Sequence, residues 1–237
     1  MKLALTSVLA ISVLTLSACS VPTAPQAVSS LDTLLPHPTG RSSATQVKSG
    51  PGVSLGVIYS PSTQTNREYL RDYQANAGTG FGQSLLVQPI HDAYVASSKP
   101  DMAVDWVNAS LQRQFGSVTV YPDMQSLRAA KPDVVAIVDT HSQLITSRSS
   151  DIKADVSADF YDARLNYIGT AKGSEARELT PVWADFKRSE EIVADINQEQ
   201  DVQVRALQKF DQSLSNLVAS STDRVSMVDN KQVHKLY

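Results

Sequence analysis

Ile152-Lys153-Ala154-Asp155-Val156-Ser157-Ala158-Asp159-Phe160 alternates apolar and polar residues at every step. A strand sends successive side chains to opposite faces, so this run has one dry and one wet face and belongs to an antiparallel part of a sheet. Working outward, Tyr161-Asp162-Ala163-Arg164-Leu165-Asn166 reads as a turn, and Tyr167–Gly173 as the second arm of a hairpin. On the other side, Val134-Val135-Ala136-Ile137-Val138 is apolar without alternation. That is the pattern of a strand covered on both faces. An alternating strand beside a continuous one specifies a mixed sheet.

Helices precede these strands. Asp101 stands as N-cap of a run in which Met102, Trp106, Val107, Ser110, Leu111 and Phe115 keep i, i+3/i+4 spacing, and Gly116 stops it. Val118–Tyr121 reads as a short strand. Asp123 caps a second helix, which ends by Ala130 at Lys131-Pro132. Upstream, Val53–Tyr59 predicts a strand, 65–74 a short helix, 78–82 a glycine-rich loop and Ser84–Ile90 a further strand. Downstream, Thr180-Pro181 opens a helix whose stripe is Phe186, Val193, Ile196, Val204, Leu207, Phe210, Leu214 and Leu217. Unbroken, it would be roughly 55 Å long, wider than a domain of this size. A break near Asn197–Asp201 is therefore expected. The fold class is α/β: two layers, a mixed sheet with an antiparallel hairpin, flanking helices and a long C-terminal helix.

Four segments follow from this reading: residues 1–18 an export signal, 19–52 a Pro/Ser-rich tether, 53–220 a single α/β domain, and 221–237 a polar tail. Lys2 supplies the positive start of the signal, and Leu3–Leu16 its apolar run. The run is shorter than the ~20 apolar residues that span a bilayer. Pro22, Pro25, Pro36, Pro38 and Pro51 break up the tether, which as a coil would span roughly 30 Å.

Leu16-Ser17-Ala18-Cys19 closes the signal on the chain's single cysteine. This stretch resembles the lipobox of bacterial lipoproteins. The resemblance implies cleavage before Cys19, a thioether-linked diacylglycerol on its sulfur and a further acyl chain on its amine. Two or more chains give stable anchoring where one does not. Ser20, where inner-membrane lipoproteins typically carry Asp, implies the periplasmic leaflet of a Gram-negative outer membrane. Residues 104–173, through LQRQFGSVTVYPD, KPDVVAIVD and VSADFYDARLNYIGTAKG, are similar in element pattern to an envelope α/β domain. It is found in the TolB N-terminal domain, the curli secretion lipoprotein and lipoprotein activators of peptidoglycan synthases. That resemblance implies protein binding.

Composition removes several alternatives. Residues 1–18 carry one charge, Lys2, so their loss takes the net charge from −3 to −4. A mildly acidic chain with scattered charges gives no electrostatic case for nucleic acid. With Cys19 acylated, no thiol remains for a disulfide, a metal or nucleophilic attack. His37, His91, His141 and His234 are far apart with no metal-ligand spacing, and no cofactor or metal is expected. Asp151, Asp155 and Asp159 would share the wet face of their strand, as solubilising charge in the simplest reading and as a cation site in the alternative. Residues 78–82 lack the spacing of a phosphate cradle.

Gly52-Val53-Ser54-Leu55-Gly56 fits the G-x-S-x-G string of serine hydrolases, but a strand follows Ser54 where the elbow requires a helix. His91-Asp92 or Asp139-Thr140-His141 would be its acid–base partners. On the C-terminal helix, Phe186, Val193, Gln200, Leu207 and Leu214 recur every seven residues. Such a stripe either packs on the sheet or makes a coiled-coil or groove contact, with Val193, Val204, Leu207 and Leu214 as partner-binding residues and Gln200 as the polar misfit. The expected function is a non-enzymatic assembly or docking accessory of an envelope complex, lipid-anchored through Cys19. A periplasmic hydrolase using Ser54, an amphiphile carrier with a pocket under the last helix, and self-association into a homo-oligomer stay open.

Overall fold

The computed structural model describes residues 24–25, 47–76, 87–145, 151–179 and 187–233, with side chains described through 219. Its strands are β1 (Gly50–Tyr59), β2 (Phe115–Val120), β3 (Val134–Gln143), β4 (Asp151–Asp162) and β5 (Tyr167–Glu178). Its helices are α1 (Pro61–Asn76), α2 (Gln88–Ser97), α3 (Met102–Gln114), α4 (Met124–Ala130) and α5 (Ser189–Val233). The strands form one sheet in the order β2-β1-β3-β4-β5. β1 runs parallel to β2 and β3, and β4 runs antiparallel to β3 and β5. The class is α/β with a mixed sheet, as the two strand patterns require.

β3 is the central strand, which explains its unbroken apolar run. Val134, Ala136 and Val138 join Val156, Ala158 and Phe160 of β4 in the main core, beneath α3 and α5. Val135 and Ile137 face the other way, onto Ile58, Tyr161 and Leu127 of α4. The capping of α4 is as expected: the Asp123 carboxylate accepts from the Ser126 amide at 2.7 Å. α3 differs. Asp101 occupies the N-cap but its carboxylate does not cap; instead it pairs with Arg67 of α1, where a charge-assisted bond outcompetes a backbone amide.

Two other expectations are corrected. Ser84–Ile90 does not continue as a strand, because Gln88–Ser97 is helical, with Pro89 in its first turn and Ile90, Ala93 and Ser97 buried at helical spacing; residues 84–86 lie outside the described residues. α5 has no break near Asn197–Asp201: it is continuous over 45 residues, about 67 Å. The helix crosses the sheet and keeps going, so the domain's width does not limit it. What reads as a polar tail carries that helix on to Val233. The expected start at Thr180-Pro181, with Phe186, lies outside the described residues.

α5 lies on the sheet with its backbone against β5. A Cβ at Gly173 would stand 2.0 Å from the Ala206 carbonyl oxygen and 2.4 Å from the Phe210 nitrogen. Neither neighbour is the movable end of a side chain. Gly173→Ala is therefore expected to destabilise the domain by about 3 kcal/mol or more, the upper end of overpacking costs. Gly52→Ala, with open space around the new methyl, is the matched control. Urea unfolding of both checks this: an unchanged midpoint in Gly173→Ala would contradict the contact.

Candidate functional site

β3 extends past the end of β1. Tyr59 is the last residue of β1 and pairs with Val138, so beyond it one edge of β3 has no strand beside it. α1 fills that place with side chains. The Ser60 amide donates to the Val138 carbonyl at 2.8 Å. The Thr140 amide donates to Thr63 Oγ1 at 2.9 Å, and Asn66 Nδ2 donates to the Ser142 carbonyl at 3.0 Å. The Leu144 amide donates to the Tyr69 hydroxyl at 3.1 Å, and the Tyr73 hydroxyl to the Ile145 carbonyl at 2.8 Å. These side chains recur every three or four residues along one helical face, and they are buried. Sequence reading missed them because a polar stripe looks like a solvated face. The readable signal is Ser/Thr/Asn/Tyr on a helix that directly follows a strand shorter than its neighbour.

At the top of this edge sits Glu199 of α5, 1% exposed. It accepts from the Ile145 amide at 2.8 Å and from the Ser97 hydroxyl at 2.5 Å. The Tyr73 hydroxyl lies 3.3 Å from its Oε1, and Gln203 Nε2 donates to the Ser97 carbonyl at 2.7 Å. Burial pushes the Glu199 carboxyl up to about 7, against the hydrogen bonds from Ser97, Ile145 and Tyr73. Burial likewise raises the Tyr69 phenol to about 12, and Tyr73 and Tyr94 rise for the same reason. One carboxyl thus ties together α1, α2, α5 and the end of β3. The buried polar residue of α5 is Glu199; Gln200, the expected misfit, is only partly buried.

The same corner receives the N-terminal segment. Ala24 packs against Tyr69, Leu70, Tyr73 and Leu144. Val47 is 2% exposed in the main core, and Gly50–Gly52 already belong to β1. The stretch 19–52 is therefore not a free leash throughout: its described residues sit on the domain because apolar side chains found partners there.

The other sequence candidates are placed as follows. Ser54 does not meet a histidine. Its hydroxyl and amide donate to Asp133 Oδ2 at 2.6 and 2.9 Å, and these bonds hold the Asp133 carboxyl below its usual range. Leu55 pairs with Val134, which sets Ser54 level with Asp133, so His141 lies eight residues further along from there, about 26 Å away at strand rise. His91 and Asp92 form an exposed contact at 3.4 Å on α2. Asp139 and His141 lie on β3, where Asp139 accepts from Ser60. Burial lowers the pKa of His141 and raises that of Asp139.

Asp151, Asp155 and Asp159 do not share a wet environment. Asp159 is 1% exposed and accepts from Thr170. Among the described residues no group of three or more His, Cys, Asp or Glu converges on a metal position. Leu207 and Leu214 are each 1% exposed, so the core rather than a partner covers them. Burying each contributes about 1.5–3 kcal/mol, which is why the stripe faces the sheet. Val193 and Val204 are partly buried. Phe160, Phe210, Leu207 and Leu214 fill the space under α5 where a carrier pocket would lie. A shallow cleft of about 460 Å³ opens instead beside Lys99, Asp101, Met102 and Trp106. Cys19 lies outside the described residues, and no described helix is long and apolar enough to cross a membrane.

No family model and no curated protein matches the chain. Solved structures that it is similar to include a PelC dodecamer from Paraburkholderia phytofirmans, at 12% identity over 68% of this chain and 92% of that one, with a TM-score of 0.28. A single-substitution variant of the same dodecamer gives 11% identity over 68% and 96%, with a TM-score of 0.29. At these scores the likeness bears on neither fold nor function.

Glu199→Ala is expected to cost about 2 kcal/mol or more, because the Ile145 amide and the Ser97 hydroxyl lose their acceptor. The pH dependence has a definite sign. The folded-state value, about 7, lies above the ordinary 4.5, so the native state holds the proton more tightly. The stability contributed by Glu199 is then present in full below pH 4.5 and declines as pH rises through 7. His141, lowered by burial, acts in the opposite sense in an overlapping range but is common to wild type and variant. Urea unfolding of wild type and Glu199→Gln at pH 5 and pH 8 isolates the effect. Wild type should lose up to about 3 kcal/mol relative to the variant; parallel pH profiles would contradict it.

Proposed function

We propose that the protein is a lipid-anchored periplasmic component of a Gram-negative outer membrane. It acts as a non-enzymatic assembly or docking accessory of an envelope complex. The observation that carries this reading is Leu16-Ser17-Ala18-Cys19, which sets the chain's sole cysteine immediately after an export signal. Two acyl chains or more on Cys19 make attachment stable, since each buried CH₂ contributes about 0.8 kcal/mol. The described domain is consistent with a docking module in two respects. Its core is filled by its own side chains, and the Ser54 hydroxyl that a hydrolase would use is bonded to Asp133, remote from His141.

Mass spectrometry of the N-terminal peptide tests the anchor. The expected product begins at Cys19 and carries diacylglycerol plus an N-linked acyl chain. Cys19→Ala should leave the membrane fraction while its unfolding free energy in urea stays within about 0.5 kcal/mol of wild type, as expected where the cysteine serves anchoring and not folding. An unmodified native peptide, or Cys19→Ala that still partitions with membranes, would contradict the reading.

A further inference from the structure

We infer that the corner built by α1, the end of β3 and the first turns of α5 is the end of the domain held at the bilayer surface. This inference rests on the acylation of Cys19 proposed above. Ala24 is seated on the cluster of Tyr69, Leu70, Tyr73 and Leu144, and it lies only five positions after Cys19. Five extended residues reach at most about 18 Å. The working leash between lipid and folded body is therefore this short stretch and not the whole of 19–52, whose later residues return to the opposite end of β1 at Val47 and Gly50.

The sheet supplies the ruler. Val134 pairs with Asp162, at the β4–β5 turn. Leu144, a member of the cluster on which Ala24 is seated, lies ten residues further on, just past the end of β3, about 33 Å at strand rise. The turn end is thus nearly twice the leash length from the seat, so a posture with the turn against the bilayer and the seat away from it is out of reach. α5 inherits a direction. Ile192 and Ile196 pack with Ile145 and Ile152 at the seated end, whereas Leu217 lies over Gly169 toward the turn. The 15 residues from Ala219 to Val233 then lead away from the membrane by about 22 Å. A partner reached through that helix would lie on the periplasmic side.

The chain's only thiol is consumed by acylation, so one introduced cysteine carries a single label. Full-length acylated protein is reconstituted on 3:1 phosphatidylethanolamine/phosphatidylglycerol vesicles, with a fluorophore at Asp72→Cys on α1 or Arg164→Cys in the turn. Both positions are exposed. Quenching by headgroup-labelled acceptor lipid is expected to be at least threefold stronger from position 72. Equal quenching, or stronger quenching from 164, would overturn the inference. Adding Ala24→Asp, which unseats the segment, should keep the protein on the vesicles while abolishing the difference; an unchanged difference would also overturn it. Failure to bind vesicles at all, as for Cys19→Ala, would instead count against the anchor on which the inference rests.

Discussion

A central strand that outruns its neighbour leaves backbone groups on one edge, and buried backbone groups must be paired. β3 is such a strand, continuing to Gln143 when β1 has ended at Tyr59. The chain answers with the Ser60 amide and with α1, whose Thr63, Asn66, Tyr69 and Tyr73 present donors and acceptors at helical spacing to the groups a further strand would have met. Everything assembled at that end depends on this substitution. Without α1 in place, Ile145 would not be aligned with Glu199, and no apolar seat would exist for Ala24.

The arrangement joins the two ends of the chain. Glu199 comes from the C-terminal helix, Ser97 from α2 and Tyr73 from α1, so three helices share one buried carboxyl. Ala24, five positions after the expected lipid, packs against the cluster that contains Tyr69 and Tyr73. Along β5, glycines at 169 and 173 let α5 settle close against the strand, and Lys209 and Ser213 of the helix bond to Ser174 and Lys172 of β5. Asp211 fixes the middle by accepting from Trp106, Ser110 and Arg113 of α3. Anchored as proposed, a body held at one end and extended by a helix at the other would be suited to holding something at a set distance from a membrane.

Much of this was legible in the residues, and the misses share a cause. The alternation of Ile152–Phe160 and the unbroken Val134–Val138 run dictated the mixed sheet because burial on one face or two leaves different periodicities. Asp123 announced its helix because capping is local. Asp101 misled, since a nearby residue in space, Arg67, competed for it. Gln88–Ser97 was hidden because the apolar run within Ser84–Ile90 reads as a strand, whereas Pro89 sits in the first turn of a helix. The seat and the Glu199 cluster were illegible for a deeper reason. Both are made of polar side chains whose partners lie about 75 to 125 residues away, and the stripe's residue types become informative only once the lengths of the neighbouring strands are known. Leu207 and Leu214 were readable as apolar; only the fold says that the sheet covers them.

Native-state amide exchange at Leu144 tests most directly whether α1 stands in for a missing strand. The account expects the Leu144 amide to be protected to nearly the same degree as that of Ile137 in the strand centre. In Tyr69→Phe its protection should fall at least tenfold while Ile137 is unaffected, because the Leu144 amide loses the Tyr69 hydroxyl as its acceptor without global opening. A Leu144 amide that exchanges as fast as an exposed loop in the wild-type protein, or one indifferent to Tyr69→Phe, would contradict it.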